Sequence, residues 1–350
     1  MKKKKFFFWV SDLYTNSGEG RLAYNLLREF VSKNINFEIK TPLFTINNKK
    51  KFEKIIKKNN LYKSNLSFSF RYLFFIVGLY HLWVNFFKGN KVFYVNYLPL
   101  WNFVIFMLSP PNTIFGPITG TLYFNEKKKN IELFFRKYLF KLFFSISIFF
   151  LELRGQWYVF STSLLKNLFN KKFISKSLFD LQLAFKLKRN NLKKYYDLII
   201  YNRFHSNKNN QNFKKIFSDI KFKKYRIISV GEKIYLPNIT NIGFVHRNKL
   251  INYLKKSRVS IISSENIYSF FCQDCIANNV IPIFDKNISF DSNIIKINKN
   301  NLIDYNNDLK FKNQLLNILK KRRKVRKIYF NKKYLKKIKV EFEKFISNLV

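Results

Sequence analysis

Two acidic residues with a regular placement are the first candidates for chemistry in this chain of 350 residues. Glu265 follows the apolar, β-branched run 259–262, which predicts a buried strand that ends at a polar tip. Asp274 lies in a stretch with helical spacing, and Asn278-Asn279 predicts the end of that helix before a second buried strand at 280–284. Because parallel sheets bind ligands outside the carboxyl ends of their strands, both carboxylates are expected at a ligand site.

A basic pair follows another predicted strand. The strand is expected at 196–201, and Arg203 and Lys208 lie in the polar stretch after it. Cations at the mouth of a strand can neutralise a diphosphate, because they stabilise the charge that builds on a leaving group. A chance Arg and Lys pair is common in so lysine-rich a chain, so the position after the strand, more than the spacing, indicates a phosphate site.

The two cysteines, Cys272 and Cys275, form a Cys-x-x-Cys sequence inside the predicted helix. This spacing occurs in redox pairs and in zinc sites, but the chain has no second pair that would complete four ligands. We therefore expect two buried free thiols in a reducing cytoplasm. The sequence also has no Asp-x-Asp motif, so no metal site is predicted.

The composition is strongly basic and also rich in apolar residues. Lys and Arg number 66 against 20 Asp and Glu, a net charge of +46, and 47% of the residues are hydrophobic. The apolar content excludes a disordered chain and is sufficient for two cores. Because the lysines are scattered, the charge favours anionic lipid head groups or a charged substrate over nucleic acid as partner. The opening 1–10 is basic and aromatic. The apolar part of this opening stops at Asp12 without a small-residue cleavage site, so it predicts a first strand instead of a signal peptide.

Two further apolar stretches bear on membranes. Residues 72–87 are shorter than the roughly 20 residues that cross a bilayer, so we expect a helix packed against a sheet. Residues 127–153 predict a basic, aromatic helix, which fits either a membrane interface or a core-facing position.

Strands and helices alternate along the whole chain, which predicts an α/β fold with parallel sheets covered on both faces. In the first half, glycine-bearing loops are expected after two strands, one at 11–20 and one at 116–121. Hydrophobic periodicity disappears in the polar stretch 186–194, so we place a first domain at 1–188 and a second at 189–350.

The stretch 197–284 resembles the retaining glycosyltransferases of the GT-B fold, the group 1 or family 4-like enzymes, and the first half resembles them in outline. The shared features are an acid after a strand, a second acid on the next helix, and a turn that leads into a Pro-containing strand, here NNVIPIF. In this chain, eight residues instead of seven separate Glu265 from Asp274, and the second acid is Asp instead of Glu. The resemblance implies two Rossmann-like domains that face each other across a cleft.

The resemblance also implies roles for individual residues. Arg203 and Lys208 would stabilise the departing diphosphate without a metal or other cofactor, and Glu265 would contact the donor sugar or the adjacent phosphate. Asp274 would accept hydrogen bonds from the ribose hydroxyls. The other residues implied at the donor are Gly231, Gly243, Phe244, Val245 and Ser264, and those on the acceptor side are Gly18, Glu19, Gly20, Thr119 and Gly120.

The implied activity is transfer of a sugar from a nucleotide-sugar donor to a glycan or lipid-linked acceptor, in cell-surface polysaccharide or lipopolysaccharide synthesis. The resemblance places such a protein in the cytoplasm, peripheral at the inner face of the membrane. Two alternatives stay open: a basic module that binds nucleic acid or anionic lipid without catalysis, and an inactive transferase-like protein. The donor base, the sugar and the acceptor are not given by the sequence.

Overall fold

A computed structural model describes residues 5–13, 18–33, 35–57, 68–95, 98–120, 138–185, 193–202, 213–262, 267–288, 290–320 and 328–349. The chain divides into two compact units, 1–185 with 338–350 and 186–337. The last turns therefore group with the first unit, where the ring of Phe345 contacts Trp157 and that of Phe342 contacts Phe185. The sequence-based boundary, by contrast, assigns these turns to the second domain, 189–350.

The first unit is built on one mostly parallel sheet. Its strands are β1 (Phe6–Val10), β2 (Phe37–Lys40), β3 (Thr45–Ile46), β4 (Lys91–Val95), β5 (Leu98–Pro99), β6 (Thr113–Thr119), β7 (Gly155–Phe160) and β8 (Ser177–Leu178). The order is β3-β2-β1-β4-β6-β7-β8, β5 pairs with β6, and the β2–β3 pair is antiparallel. All five residues of β1 are buried, because helices cover both faces of the sheet.

The helices of this unit are α1 (Gly18–Ser32), α2 (Lys49–Lys57), α3 (Phe68–Phe87), α4 (Phe103–Leu108), α5 (Phe140–Arg154) and α6 (Lys171–Ser175). The packing of α3 against the sheet confirms the prediction for 72–87. A Cβ at Gly78 would lie 2.3 Å from the indole nitrogen of Trp9 on β1, so the close approach of α3 requires glycine there. Among the described residues, no helix is both long and apolar enough to span a bilayer.

Both predicted glycine loops of the first unit overlap regular elements in the structure. Helix α1 begins at Gly18, so Gly18, Glu19 and Gly20 form its first turn. The carboxylate of Glu19 is favourable there because helix N-termini attract negative charge. Strand β6 continues through the predicted loop to Thr119, and the buried Ile118 pairs with Phe160 of β7. The connection therefore starts only at Gly120.

The second unit contains an all-parallel sheet and a small antiparallel pair. The parallel strands are β9 (Tyr196–Asn202), β10 (Ile227–Gly231), β11 (Ile239–Gly243), β12 (Ser257–Ile261), β13 (Ile281–Asp285) and β15 (Leu302–Ile303), and the pair is β14 (Ile295–Lys296) with β16 (Tyr329–Phe330). Helices α7 (Phe213–Phe217), α8 (Arg247–Lys256), α9 (Phe270–Ala277) and α10 (Asp308–Lys320) follow, and α11 (Lys332–Leu349) ends the chain in the first unit.

The predicted strand, helix and strand around the acids are confirmed as β12, α9 and β13. Asn278 is the C-cap of α9, and Asn279 has a φ of 54°, the left-handed turn that the Asn pair predicted. The sheet order is β11-β10-β9-β12-β13-β15. The first strand, β9, therefore lies inside the sheet, with β10 and β11 on one side and the later strands on the other. This reversal of the strand order creates a topological switch point between β9 and β12, where open α/β sheets bind ligands.

Candidate functional site

The candidate site is the carboxyl edge of the second sheet at this switch point. Ile200 of β9 pairs with Ile261 of β12, so the two strands end side by side. The polar stretches predicted to hold the donor phosphates and sugar follow these ends directly in the sequence. Arg203, Lys208, Ser264 and Glu265, which lie in 203–212 and 263–266, fall outside the described residues.

A glycine in a crowded position, Gly231, lies at one side of this edge. Gly231, at the end of β10, has a φ of 96°, and a Cβ there would lie 2.1 Å from the carbonyl oxygen of Asn202. The amide of Glu232 donates a hydrogen bond of 2.7 Å to the same oxygen. Gly231 pairs with Asn202 at the end of the β9–β10 ladder, and only glycine permits so close an approach there.

An exposed aromatic side chain lies over that glycine. Atom Cε1 of Phe244 is 3.8 Å from the position that a Cβ of Gly231 would take, and Phe244 is 67% exposed. Gly243, just before it, has a φ of 73°, which turns the chain out of β11. A large apolar ring left in solvent beside a ligand edge is suited to stacking on a planar group. Val245 follows Phe244 and is itself half-buried.

The next residues start helix α8. His246 is its N-cap, and the amide of Asn248 donates to Nδ1 of His246 over 3.4 Å. This contact gives His246 a capping role. Arg247 is the first helical residue, so its side chain also starts from the carboxyl edge of the sheet.

Arg247 forms a bidentate ion pair with Asp274 of α9. Its Nε donates to one carboxylate oxygen over 3.0 Å, and its Nη2 donates to the other over 2.7 Å. The side chain of Asp274 is 6% exposed and that of Arg247 is 33% exposed. The buried carboxylate therefore fixes the guanidinium, whose remaining edge is the more accessible part of the pair. The resemblance had assigned this carboxylate to ribose hydroxyls, and sequence reasoning missed Arg247.

Helix α9 is anchored to the same edge. Ser269 is its N-cap and accepts a hydrogen bond of 3.3 Å from the amide of Cys272. The ring of Phe271, in the first turn, stacks on Tyr201 near the end of β9 with centroids 5.0 Å apart. The amino end of α9 is therefore held close to the switch point.

The two cysteines of α9 are buried and free, as the sequence predicted. Burial is the main cause that raises the pKa of both thiols. A buried thiol with a raised pKa is a poor nucleophile and a poor metal ligand. Within the described ranges, no group of three or more His, Cys, Asp or Glu side chains could hold a metal ion.

Two acids that sequence reasoning missed lie further along the edge. Asp285 ends β13 and is 1% exposed, and Asp304 directly follows β15. Burial is the main cause that raises the pKa of Asp285, although the amide of Asn287 donates to its carboxylate over 3.1 Å. The pKa of Asp304 is lowered, first by the hydrogen bond from Lys286, whose Nζ lies 3.0 Å away. An acid directly after an apolar run was the available sequence signal for both.

In the first unit, the corresponding switch point lies between β1 and β4, and the first turn of α1 follows β1. Gly18 and Gly20 are placed at this edge. Thr119 ends β6, and a Cβ at Gly120 would lie 2.9 Å from Leu165. The proposed acceptor-side residues therefore come from two strand ends of one sheet.

A buried polar group that the sequence did not predict follows β8 in the same unit. Asp180 is fully buried with a φ of 57°, and its carboxylate accepts a 2.7 Å hydrogen bond from the amide of Ser163. The amide of Gln182 donates to the carbonyl oxygen of Ser161 over 3.1 Å. These bonds fix the backbone that leaves β7.

The chain can also be compared with known proteins. A scan of protein-family models and a search of curated proteins give no match. Among solved structures, a sucrose-phosphate synthase from Thermosynechococcus elongatus is similar over 99% of this chain and 97% of its own, with a TM-score of 0.57 and 10% identity. A glycosyltransferase from Rickettsia africae covers 99% and 94%, with a TM-score of 0.51 and 14% identity. At these identities the likeness concerns the fold, and it confirms two Rossmann-like domains of the GT-B type.

Proposed function

We propose that this protein is a glycosyltransferase that moves a sugar from a nucleotide-sugar donor to a glycan or lipid-linked acceptor. The observation that carries the proposal is the carboxyl edge of the second sheet. There, a glycine-dependent backbone approach, an exposed aromatic ring and a fixed guanidinium lie at the ends of neighbouring strands. The fold supports the proposal by analogy, because both similar structures are named as sugar-transferring or sugar-phosphate-forming enzymes.

These features can be matched to parts of a nucleotide sugar. The ring of Phe244 offers a stacking surface for the base, and Gly231, which lies under that ring, lets the end of β10 pack closely on Asn202. The pair of Arg247 and Asp274 offers both a cation and carboxylate oxygens to the ribose and its neighbouring phosphate. The base, ribose and phosphate would thus be bound along one edge.

The chemical step is assigned to residues outside the described ranges. Arg203 and Lys208 are proposed to stabilise the diphosphate as the bond to the sugar breaks, and Glu265 is proposed to contact the sugar or the adjacent phosphate. With two cations at the leaving group, no metal is required, so we expect the rate to survive EDTA. Transfer with retention of configuration and hexose as the sugar are part of this proposal. A rate lost in EDTA and restored by magnesium or manganese would contradict it.

The acceptor and the setting are proposed from the resemblance and the charge. Gly18, Glu19, Gly20, Thr119 and Gly120 would face the acceptor, and the net charge of +46 favours attachment to the anionic inner face of a membrane. A lipid-linked acceptor in cell-surface polysaccharide or lipopolysaccharide synthesis would be met there.

A thermal-shift screen with UDP-, GDP-, CDP- and ADP-sugars tests the proposal. A donor at about 100 times its Kd stabilises the folded protein by about 2.7 kcal/mol, which raises Tm by several degrees. We expect one nucleotide class to give this shift. Phe244→Ala should reduce it, and Tyr195→Ala is the matched control, since Tyr195 is an exposed aromatic just before β9, at the opposite edge. Absence of a shift with every donor would contradict the proposal.

A further inference from the structure

Exposed apolar side chains are concentrated on one part of the first unit. Among the described residues, eighteen large hydrophobic side chains are exposed, and nine of them lie on or next to α3, α4 and α5. We call these nine the outer face: Ile76, Val77, Tyr80, Phe87, Leu108, Tyr138, Leu142, Phe149 and Leu153. Scattered exposed apolar residues are normal, whereas a contiguous set indicates an interaction surface.

On each of the two long helices, α3 and α5, the residues of the outer face lie on one side of the helix. On α5 and the turn before it, Tyr138, Leu142, Phe149 and Leu153 recur at steps that place them on one side. Phe144 and Leu151, on the opposite side, are buried in the core. Helix α5 therefore has an exposed apolar stripe in addition to the apolar face that packs in the core.

Helix α3 has the same arrangement. Ile76, Tyr80 and Phe87 are exposed on one side, while Leu79 and Leu82 are buried against the sheet. Both α3 and α5 thus have an inner and an outer apolar stripe.

The three helices form one layer. The indole of Trp83 on α3 donates a 2.8 Å hydrogen bond to the carbonyl oxygen of Leu108 at the end of α4. The ring of Phe103 on α4 lies 5.5 Å from that of Phe143 on α5. Helix α3 contacts α4, α4 contacts α5, and all three pack on the same core, so their outer stripes belong to one surface.

The charges around this surface are mostly basic. Lys88 follows α3 and Lys141 lies on α5, both exposed. Glu152 is the one acid among the described side chains of these helices, and it accepts a 2.8 Å hydrogen bond from the amide of Asn170. Apolar and aromatic side chains with lysines nearby, in a protein of net charge +46, are complementary to anionic lipid head groups above acyl chains.

We propose that the outer face lies flat on an anionic lipid bilayer, with its apolar side chains at the boundary between head groups and acyl chains. No described helix can span a bilayer, so α3 and α5 would lie in the interface plane. The inference deepens the proposed membrane attachment and rests on it. Its tests measure lipid contact directly. They can therefore fail in a protein that transfers sugar, and they can succeed in a protein that does not.

Vesicle cosedimentation compares two matched double variants. Tyr80→Ser with Leu142→Ser alters the outer face, and Tyr235→Ser with Ile220→Ser alters residues of the second unit that are at least as exposed. With vesicles of phosphatidylcholine and phosphatidylglycerol at physiological salt, we expect the first variant to bind about tenfold or more weakly and the control to bind like wild type. Equal binding by both variants would overturn the proposal.

A site-specific probe gives an independent reading. The native cysteines are buried and their pKa values are raised, so an environment-sensitive fluorophore can be attached selectively to Phe149→Cys or Ile220→Cys. On vesicle addition, the emission from position 149 should shift to the blue, while that from position 220 should not. An unchanged probe at 149 in vesicle-bound protein would overturn the proposal. So would a blue shift at 149 without vesicles that grows with protein concentration and accompanies dimer formation, because the occupant would then be a second copy.

Discussion

The ion pair of Arg247 and Asp274 allows a prediction with a defined asymmetry. The side chain of Asp274 is 6% exposed, so Arg247→Met leaves a buried carboxylate without its two charge-assisted hydrogen bonds. Loss of one partner from a buried pair costs about 3–5 kcal/mol of unfolding free energy. Asp274→Asn leaves a guanidinium that is one-third exposed and can be hydrated, and the amide oxygen still accepts a hydrogen bond. We expect this variant to lose only about 1–2 kcal/mol.

Urea unfolding of the wild type, both single variants and the double variant measures these costs. The double variant should lose less than the sum of the single variants, with a coupling of about 2 kcal/mol, because each partner's substitution removes part of the other's penalty. Equal costs for the two single variants, or strictly additive costs, would refute the pair as described.

Donor affinity separates a structural role of this pair from a role in binding. If the pair holds the ribose and its phosphate, titration calorimetry should show that Asp274→Asn weakens donor binding by about 1.5–3 kcal/mol, with the acceptor KM little altered. The measurement is made below the Tm of the variant. Unchanged affinity in folded protein would reduce the pair to a structural contact between α8 and α9.

Three further predictions concern the other charged residues. Arg203→Ala and Lys208→Ala should each raise the barrier to transfer by about 2–4 kcal/mol in folded protein, and unchanged kcat/KM in both would remove them from the site. Glu265→Gln should lower kcat more than donor affinity, and the reverse ratio would show that its assigned role is wrong. Because burial raises the pKa of Asp285, the stability from this group is present below its ordinary pKa and is lost as pH rises through the raised value. Asp285→Asn should therefore have a higher Tm than wild type at pH 7 and lose this advantage near pH 4, and a lower Tm at pH 7 would contradict the assignment.

Local patterns predicted much of the fold. The steps of four through Leu22, Leu26 and Phe30 predicted α1, and β-branched runs predicted β12 and β13, because these patterns reflect burial of one helix face or of a whole strand. The sequence predicts a start of α1 after Gly20, whereas the helix begins at Gly18. Glycines suggested a loop, but packing of the following apolar face stabilises a helix that begins at Gly18.

The features missed at the candidate site depend on contacts between distant residues. Arg247 and Asp274 are 27 positions apart on different helices, so neither residue signals the other in the sequence. Gly231 could be noted as a glycine after a strand, but the clash with Asn202 that requires it arises only from strand pairing. Asp285 had a local signal, since an acid ends an apolar run, yet its burial follows from the neighbouring β15, which is too short to be recognised from sequence.

The central claim is sugar transfer from a nucleotide-activated donor, and release of nucleoside diphosphate tests it most directly. The assay supplies a panel of nucleotide sugars together with glycan and lipid-linked acceptors, and it compares wild type with Lys208→Ala. The account predicts acceptor-dependent release with one nucleotide class, retained in EDTA and reduced by about 30-fold or more in the variant. Release at the same rate in wild type and Lys208→Ala, or folded wild-type protein that neither binds nor turns over any donor, would contradict it.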